Sequence, residues 1–236
     1  MLKFANIEFR GLNKLIVLDA CSSMKRITTV NAEFIVEANK DEKFLDVVNS
    51  SFATFDGQIP YLAAKLLNPR EKFQKLSGSD LVYDFCEFAE RNSASIFLLG
   101  GNEGSNRMAT EKLRSEYRIQ VGGFSPEYKD YPFDANHNAK IISVIKDFRP
   151  DILMVGFGAK KQELWLYEHR EILGELGIRW GIGVGGTFDF VAGVVIRAPK
   201  IVQHMGLEGV WRLLMEPKMF RLVRLVKSLL FFKYIL

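Results

Sequence analysis

Residues 151–163 read DILMVGFGAKKQE. The apolar run Ile152-Leu153-Met154-Val155 has no polar alternation, which marks a strand covered on both faces rather than a half-wet one. Gly156 and Gly158 close it, and Lys161 opens a stretch of helical character. Strand, glycine turn and helix form half of a βαβ unit, so this stretch sets the fold class as layered α/β. Working outward, the same grammar recurs. Ile96–Gly100 ends in Gly100-Gly101 before a helix, and Gly181-Ile182-Gly183-Val184 ends in Gly185-Gly186-Thr187. Further strands are predicted over Lys14–Asp19, Arg26–Asn31, Ser51–Phe55 and Arg118–Gly122, with the three above extending over Ser95–Gly100, Asp151–Phe157 and Arg179–Val184. Helices are predicted over Ala32–Val48, Ile59–Leu67, Asp80–Arg91, Ser105–Tyr117, Asn136–Lys146, Lys161–Leu173, Met205–Met215 and Lys218–Tyr234. The expected architecture is Rossmann-like, with a mainly parallel sheet and a short basic helical appendage at the C-terminus. Ala198-Pro199 marks the expected boundary, giving an α/β domain over 1–198 and the appendage over 199–236.

Composition narrows the class. The chain has 236 residues, 48% apolar and 25% charged, which is globular and long enough to fold without disulfide or metal. No apolar run approaches a membrane span, and MLKFANIEFRG does not read as a signal peptide. Cys21 and Cys86 form no C-x-x-C pair and are expected to be reduced core thiols. The positive charge is lopsided. Residues 197–236 hold eight Lys/Arg against two acids, whereas the first 196 hold 24 against 26. A near-neutral body with a basic, apolar tail points away from nucleic acid.

Glycines at βα turns let a ligand approach the backbone, and the following helix offers unpaired N–H groups to a phosphate. Gly100, Gly101, Gly158, Gly185 and Gly186 are therefore candidate nucleotide contacts. The alternative is that each merely permits a tight turn. The strict dinucleotide fingerprint is absent, because Lys161 stands where Gly156-x-Gly158 needs its third glycine. Asp56 precedes Gly57 at a strand end, where a carboxylate can serve as a general base; the alternative is a turn aspartate stabilising its own loop. Asn31, in Thr29-Val30-Asn31, is a site candidate that reads equally as a helix N-cap. Lys160 and Lys161 stand at a helix start, where a bound phosphate, or simply water, would offset the opposing dipole. His137, His169 and His204 lack metal-ligand spacing, and no Gly-x-Ser-x-Gly, Walker A or strand-end Asp-x-Asp occurs. No metal is expected.

The tail 218–236 reads KMFRLVRLVKSLLFFKYIL. Cations at 218, 221, 224 and 227 among Leu and Phe suit the headgroup boundary of an anionic membrane. A helix docked on the domain, or on a partner helix, is the alternative. A tether of this kind predicts a folded core after its removal.

These segments, taken in order, resemble the WecG/TagA/CpsF family of bacterial glycosyltransferases. The resemblance rests on Thr29–Phe34, Phe55-Asp56-Gly57, Ser77–Leu81, Phe97–Gly101, Asp151–Ala159 with Lys161–Trp165, Gly183–Phe190 with Ala192-Gly193, Arg197-Ala198-Pro199, and Gly206–Glu208 with Trp211–Leu213 and Glu216-Pro217. It implies an inverting, metal-independent transfer of a sugar, N-acetylmannosamine in type, from a UDP-sugar to a polyprenyl-diphosphate-linked acceptor. The setting implied is the inner face of the bacterial cytoplasmic membrane, in teichoic acid, capsule or exopolysaccharide synthesis. It assigns Asp56 as base, Thr29, Asn31 and Gln162 to the site, and Arg212 to the diphosphate. Lys75 and Asp189 join the glycines around the donor. Lys75 stands where the family commonly has arginine, and Lys160 where it has proline, so the phosphate contact at 75 would be less bidentate. The family's first helix reads as shortened to a loop around Cys21–Lys25. Partners implied are the UDP-sugar, the lipid-linked acceptor and an anionic membrane surface met through 218–236; a homo-oligomer stays open. On the residues alone, a nucleotide-binding oxidoreductase and a non-catalytic membrane-docking protein also stay open.

Overall fold

The computed structural model describes residues 1–19, 23–215, 217 and 219–235, Phe220 by its backbone alone. Cys21, Glu216, Lys218 and Leu236 lie outside the described residues. In chain order the elements are β1 (Leu2–Phe4), β2 (Ile7–Phe9), α1 (Lys14–Leu18), β3 (Lys25–Val30), α2 (Ala32–Lys40), α3 (Glu42–Asn49), β4 (Phe52–Phe55), α4 (Gln58–Leu67), α5 (Gly78–Asn92), β5 (Ile96–Gly100) and α6 (Glu103–Glu116). Then come β6 (Val121–Phe124), α7 (Ala135–Phe148), β7 (Ile152–Gly156), α8 (Lys161–Glu168), α9 (Arg170–Glu175), β8 (Trp180–Gly183), α10 (Thr187–Val191), α11 (Lys200–His204), α12 (Glu208–Met215), α13 (Met219–Leu229) and a 3-10 turn over Leu230–Tyr234. Six strands make one parallel sheet in the order β4-β3-β8-β7-β5-β6, flanked by helices in a Rossmann-like arrangement. No described helix is long and apolar enough to cross a membrane.

The described chain divides into two compact units, and it passes from one to the other within β3. The first unit comprises Met1–Val17, Thr28–Ser77 and Val195–Leu236, so the segment after the Ala198-Pro199 break groups with the N-terminal segments. Its core is aromatic. Phe9 stacks on Phe55 with ring centroids 3.7 Å apart, and Phe55 meets Phe73 at 5.0 Å. Phe4 lies 6.1 Å from Phe231, which is fully buried. The hairpin β1–β2 supplies Phe4 and Phe9, and turns through Ala5 and Asn6, both at positive φ. The tail helix α13 lies on α2, where Arg224 donates to Glu33 at 2.6 Å and Lys227 stands 3.8 Å from Glu37. Phe231 thus makes the tail part of the core, unlike the detachable tether expected from its sequence.

The second unit comprises Leu18–Ile27 and Gly78–Val194. Strands β5, β7 and β8 are buried on both faces but for the half-buried Gly156, as their unbroken apolar runs require. Ile96 pairs with Ile152 and Gly100 with Gly156, while Ile152 pairs with Trp180 and Val155 with Gly183. The C-terminal ends of three adjacent strands are therefore level. One face is covered by Ile141 and Ile145 of α7, Trp165 and Leu166 of α8, and Leu173 of α9. Each such side chain contributes about 1.5–3 kcal/mol by leaving water. Trp165 also satisfies its indole N–H on Asn138 at 3.0 Å. Cys86 is a buried free thiol, pushed up to about 12 chiefly by burial.

Several local readings differ from the sequence expectation, among them the helix expected over Met205–Met215, which starts only at Glu208 after a turn at Gly206. Residues 14–18 form a helix rather than a strand, because Asn13 caps it by accepting the Ile16 N–H at 3.0 Å. The single helix expected over 32–48 is two, since Asp41 ends α2 and its side chain caps α3 by accepting the Phe44 N–H at 3.1 Å. The helix expected over 161–173 breaks at His169, which separates α8 from α9. The strand expected to start at Arg118 starts at Val121 and runs through Gly122 and Gly123 to Phe124. There Gly122 lets Phe97 and Phe148 close over the backbone; a Cβ would stand 2.6 Å from the Phe97 ring.

Candidate active site

The candidate residues fall into two groups, one in each unit. The first unit holds Thr29, Asn31, Asp56, Lys75 and Arg212. Strand β4 ends at Phe55, which is locked in the aromatic core, so the half-buried Asp56 emerges from a rigid base. The Asp56 backbone N–H donates to Val30 O at 2.8 Å, which ties the acid to the end of β3. Thr29 is buried on that strand end. Asn31 follows it and caps α2, its Oδ1 accepting the Phe34 N–H at 3.1 Å. The cap expected as the alternative for Asn31 is thus real. The same residue borders the acid turn, where a Cβ on Gly57 would stand 3.7 Å from Asn31 Cβ. Gly57 has φ 118, so the turn needs glycine.

Lys75 reaches the same turn from another direction. It forms a parallel bridge with Phe55, reinforced by Leu76 N–H donating to Phe55 O at 2.9 Å. The backbone of Lys75 is thereby held level with Phe55, the residue before the acid. Arg212 is half-buried on α12, on the same helix as Glu208. Glu208 stands 3.7 Å from Arg197, whose guanidinium also donates to Ser77 Oγ at 3.3 Å. Arg197 therefore fixes the helix that carries Arg212 to the chain just after Lys75. That tie was not legible in the sequence, where Arg197 read only as part of a matching segment.

In the second unit, Gly100, Gly101, Gly158, Gly185 and Gly186 stand at the level C-terminal edge of β5, β7 and β8, with Gln162 and Asp189 on the following helices. The glycines separate into two kinds. Gly100 and Gly101 have positive φ and lie under aromatic rings, with a Cβ 2.7 Å from Phe157 and 2.9 Å from Phe188 respectively. Their role in packing is explicit. Gly158 and Gly185 also have positive φ, but a Cβ there would meet nothing within 4 Å, so their backbone faces open space that a ligand can enter. Gly186 is exposed and starts α10, where Asp189 is half-buried in the first turn.

Gln162 holds these turns together. It is buried, accepts the Gly185 N–H at 3.0 Å, and donates to Glu163 Oε1 at 2.7 Å. Glu163 in turn accepts the Lys160 N–H at 2.9 Å, closing the first turn of α8. The Glu163 carboxyl is fully buried. Burial raises it to about 7, against the opposing pull of the Gln162 amide and the backbone N–H groups of Glu163 and Lys160. Sequence reading passed Glu163 over, although its place three residues after the helix start is the capping-box spacing. Lys161 makes its contacts with the segment 128–130, standing 3.6 Å from Asp130 and over the Tyr128 ring. An acid of the protein itself thus offsets that cation.

In a parallel α/β sheet, open glycine turns level at the strand ends are where a ligand binds. Comparison with known families makes the class specific. Residues 2–236 match the model of the glycosyl transferase WecG/TagA/CpsF family, so the chain belongs to that family and is a glycosyltransferase. It is 30% identical over 193 residues, 81% of this chain and 72% of the relative, to the N-acetylglucosaminyldiphosphoundecaprenol N-acetyl-beta-D-mannosaminyltransferase of Bacillus subtilis (strain 168). The family resemblance read from the motifs holds, and the oxidoreductase and non-catalytic alternatives fall away.

Proposed function

We propose that this glycosyltransferase moves a sugar of the N-acetylmannosamine type from a UDP-sugar to a polyprenyl-diphosphate-linked acceptor, with inversion, in surface-polysaccharide synthesis. Support comes from the relative, whose name specifies an N-acetylmannosaminyl donor group and an acceptor built on diphosphoundecaprenol. The observation that carries the chemistry is the acid turn, with Asp56 set on the rigidly packed Phe55 and tied by its backbone N–H to the end of β3. An inverting displacement needs one base. The acceptor hydroxyl attacks the sugar C1, its proton passes to the Asp56 carboxylate, the bond from C1 to the diphosphate oxygen breaks, and UDP leaves. UDP needs no proton to depart. Its developing charge calls for a cation, and within the unit that holds Asp56 the candidate is Arg212. Asp189, an anion in the first turn of α10, suits donor hydroxyls better than phosphate. We further propose that no divalent cation takes part, on the ground that the sequence has no strand-end Asp-x-Asp.

The site acts at a membrane surface in this reading. Helix α13 supports it by its inverted amphipathicity. Its cations Arg224 and Lys227 face the α2 acids, while Leu222, Val223, Val226 and Leu229 are exposed. Such a face is unfavourable in water and favourable at the boundary of headgroups and acyl chains. The chain would then work peripherally on the cytoplasmic leaflet, where its acceptor is anchored.

A panel of UDP-sugars tests the reading, scored by UDP release with a short-chain polyprenyl-diphosphate acceptor in EDTA. UDP-N-acetylmannosamine should give acceptor-dependent release. Absence of release from every UDP-sugar would overturn the donor class. Activity that returns only with Mg²⁺ or Mn²⁺ would overturn the metal-free part.

A further inference from the structure

Helix α4 begins immediately after the Asp56-Gly57 turn, and its two faces are unequal. Pro60 and Ala64 are buried, and Tyr61 packs its ring against Phe55 and Phe73 at 6.4 and 5.7 Å. The opposite face is apolar yet open. Ile59 is 41% exposed, Leu62 51%, Leu66 82% and Leu67 56%. Ile59, Leu62 and Leu66 fall at helical spacing, so they form one outward stripe. The stripe is bordered by cations: Lys65 on the flank of the helix, then Arg70 and Lys72 just beyond its end, all exposed, with Glu71 the only acid between Gln58 and Lys72.

The stripe also adjoins the C-terminal helices. At Gly206, in the turn between α11 and α12, a Cβ would stand 2.9 Å from Ile59 and 3.6 Å from Gln58. The neighbouring Met205 and Leu207 are exposed as well. Two elements far apart in sequence therefore present exposed apolar side chains with flanking cations, and they touch.

We propose that α4 is a second lipid-facing element, whose Ile59–Leu62–Leu66 stripe enters the headgroup region of an anionic bilayer beside the C-terminal helices. The charge favours this occupant. Lys65, Arg70 and Lys72 complement anionic headgroups, whereas a second copy of the same face would set like charges against each other. The consequence is positional. The acid turn is the residue pair leading into α4, so seating the helix at the headgroups fixes Asp56 at the depth where a lipid-diphosphate acceptor carries its sugar. This inference rests on the membrane reading above, but not on the donor or the chemistry.

The test uses the full chain and vesicles of phosphatidylglycerol and phosphatidylcholine. The double variant Leu62→Gln, Leu66→Gln should bind them at least about tenfold more weakly than wild type, since two leucine side chains no longer gain from leaving water. Its melting temperature and its transfer to a short-chain soluble acceptor should match wild type. Leu66→Trp should add indole emission that bromine-labelled acyl chains quench. Equal vesicle binding by the double variant, or unquenched emission from Leu66→Trp, would overturn the role of α4. So would a variant that loses self-association but keeps vesicle binding, since the face would then join copies of the chain. Wild type that fails to bind the vesicles would overturn the whole membrane reading, whatever the transferase assay shows.

Discussion

The acid turn and the glycine turns are held in place by opposite means. Asp56 is positioned by packing from remote parts of the chain: Phe9 of the first hairpin, Phe73 beyond α4, and through Phe4 the C-terminal Phe231. The glycine turns are positioned by hydrogen bonds with polar side chains of α6 and α8. Asn106 donates to Leu98 O and Gly100 O at 2.9 and 2.8 Å, Gln162 accepts from Gly185, and Glu163 accepts from Lys160. Aromatic packing is broad and forms only when the whole unit folds. Hydrogen-bonded turns are set within one or two elements. The proposed base should therefore be sensitive to distant core changes, and the glycine turns to single polar substitutions close by.

The largest effect should come at the acid itself. Asp56→Asn keeps size and removes basicity, so turnover should fall by roughly 10²–10⁴ with UDP affinity unchanged. Retention of more than a tenth of wild-type turnover, with chemistry limiting, would move the base elsewhere. Next comes the remote support. Phe231→Ala should destabilise the protein by about 3–5 kcal/mol in urea unfolding, as removal of a fully buried ring does. Phe232→Ala, next in sequence but exposed, should cost under about 1 kcal/mol. Equal effects at the two positions would show that Phe231 does not hold the acid turn's core.

The contrast also explains what the sequence revealed. Strands β5, β7 and β8 were legible because burial on both faces leaves an unbroken apolar run, and their glycine ends followed at once. The class of fold and the placing of Gly158 and Gly185 came from those local signals. The hairpin β1–β2 escaped because three-residue strands carry no period, and only its aromatic partners make it necessary. Helix α1 was misread because Ile16 and Val17 suggest a strand, while the deciding signal was the Asn13 cap. The tail was recognised as basic and apolar, but its pattern alone did not reveal which face turned inward. The pairing of Arg224 with Glu33 settled that, and it depends on a residue nearly the whole chain away. Glu163 was visible in Lys160-Lys161-Gln162-Glu163, yet nothing in four polar residues announces complete burial.

On the glycine side, Gln162→Ala should leave the half-buried Gly185 N–H without its acceptor, a cost of about 0.5–1.5 kcal/mol. The loosened turn should raise KM for the UDP-sugar by about tenfold or more. The fall in kcat should be smaller than that of Asp56→Asn, since the substitution disturbs binding rather than proton transfer. A kcat loss as deep as that of the acid variant, with KM unchanged, would give Gln162 a direct part in the chemistry and weaken the division between the two halves.

The smallest effect is also the most local. Glu163 is raised from 4.5 to about 7, with burial as the leading cause. Between those values the folded protein holds a proton that the unfolded chain has released. The unfolded state then binds fewer protons, so stability must fall as pH rises. The favourable contribution is complete below about 4.5, declines as pH climbs toward about 7, and changes no further above it. Glu163→Gln keeps an oxygen to accept the Lys160 N–H but cannot ionise, so its melting temperature should lack this part of the decline. Groups common to both proteins cancel when the two profiles are subtracted. The difference should grow in favour of the variant from pH 5 to 7 and level off by pH 8. Parallel profiles across that range would mean that the carboxyl ionises without cost, and that the α8 turn is more open to water than the buried Gln162–Glu163 pair implies.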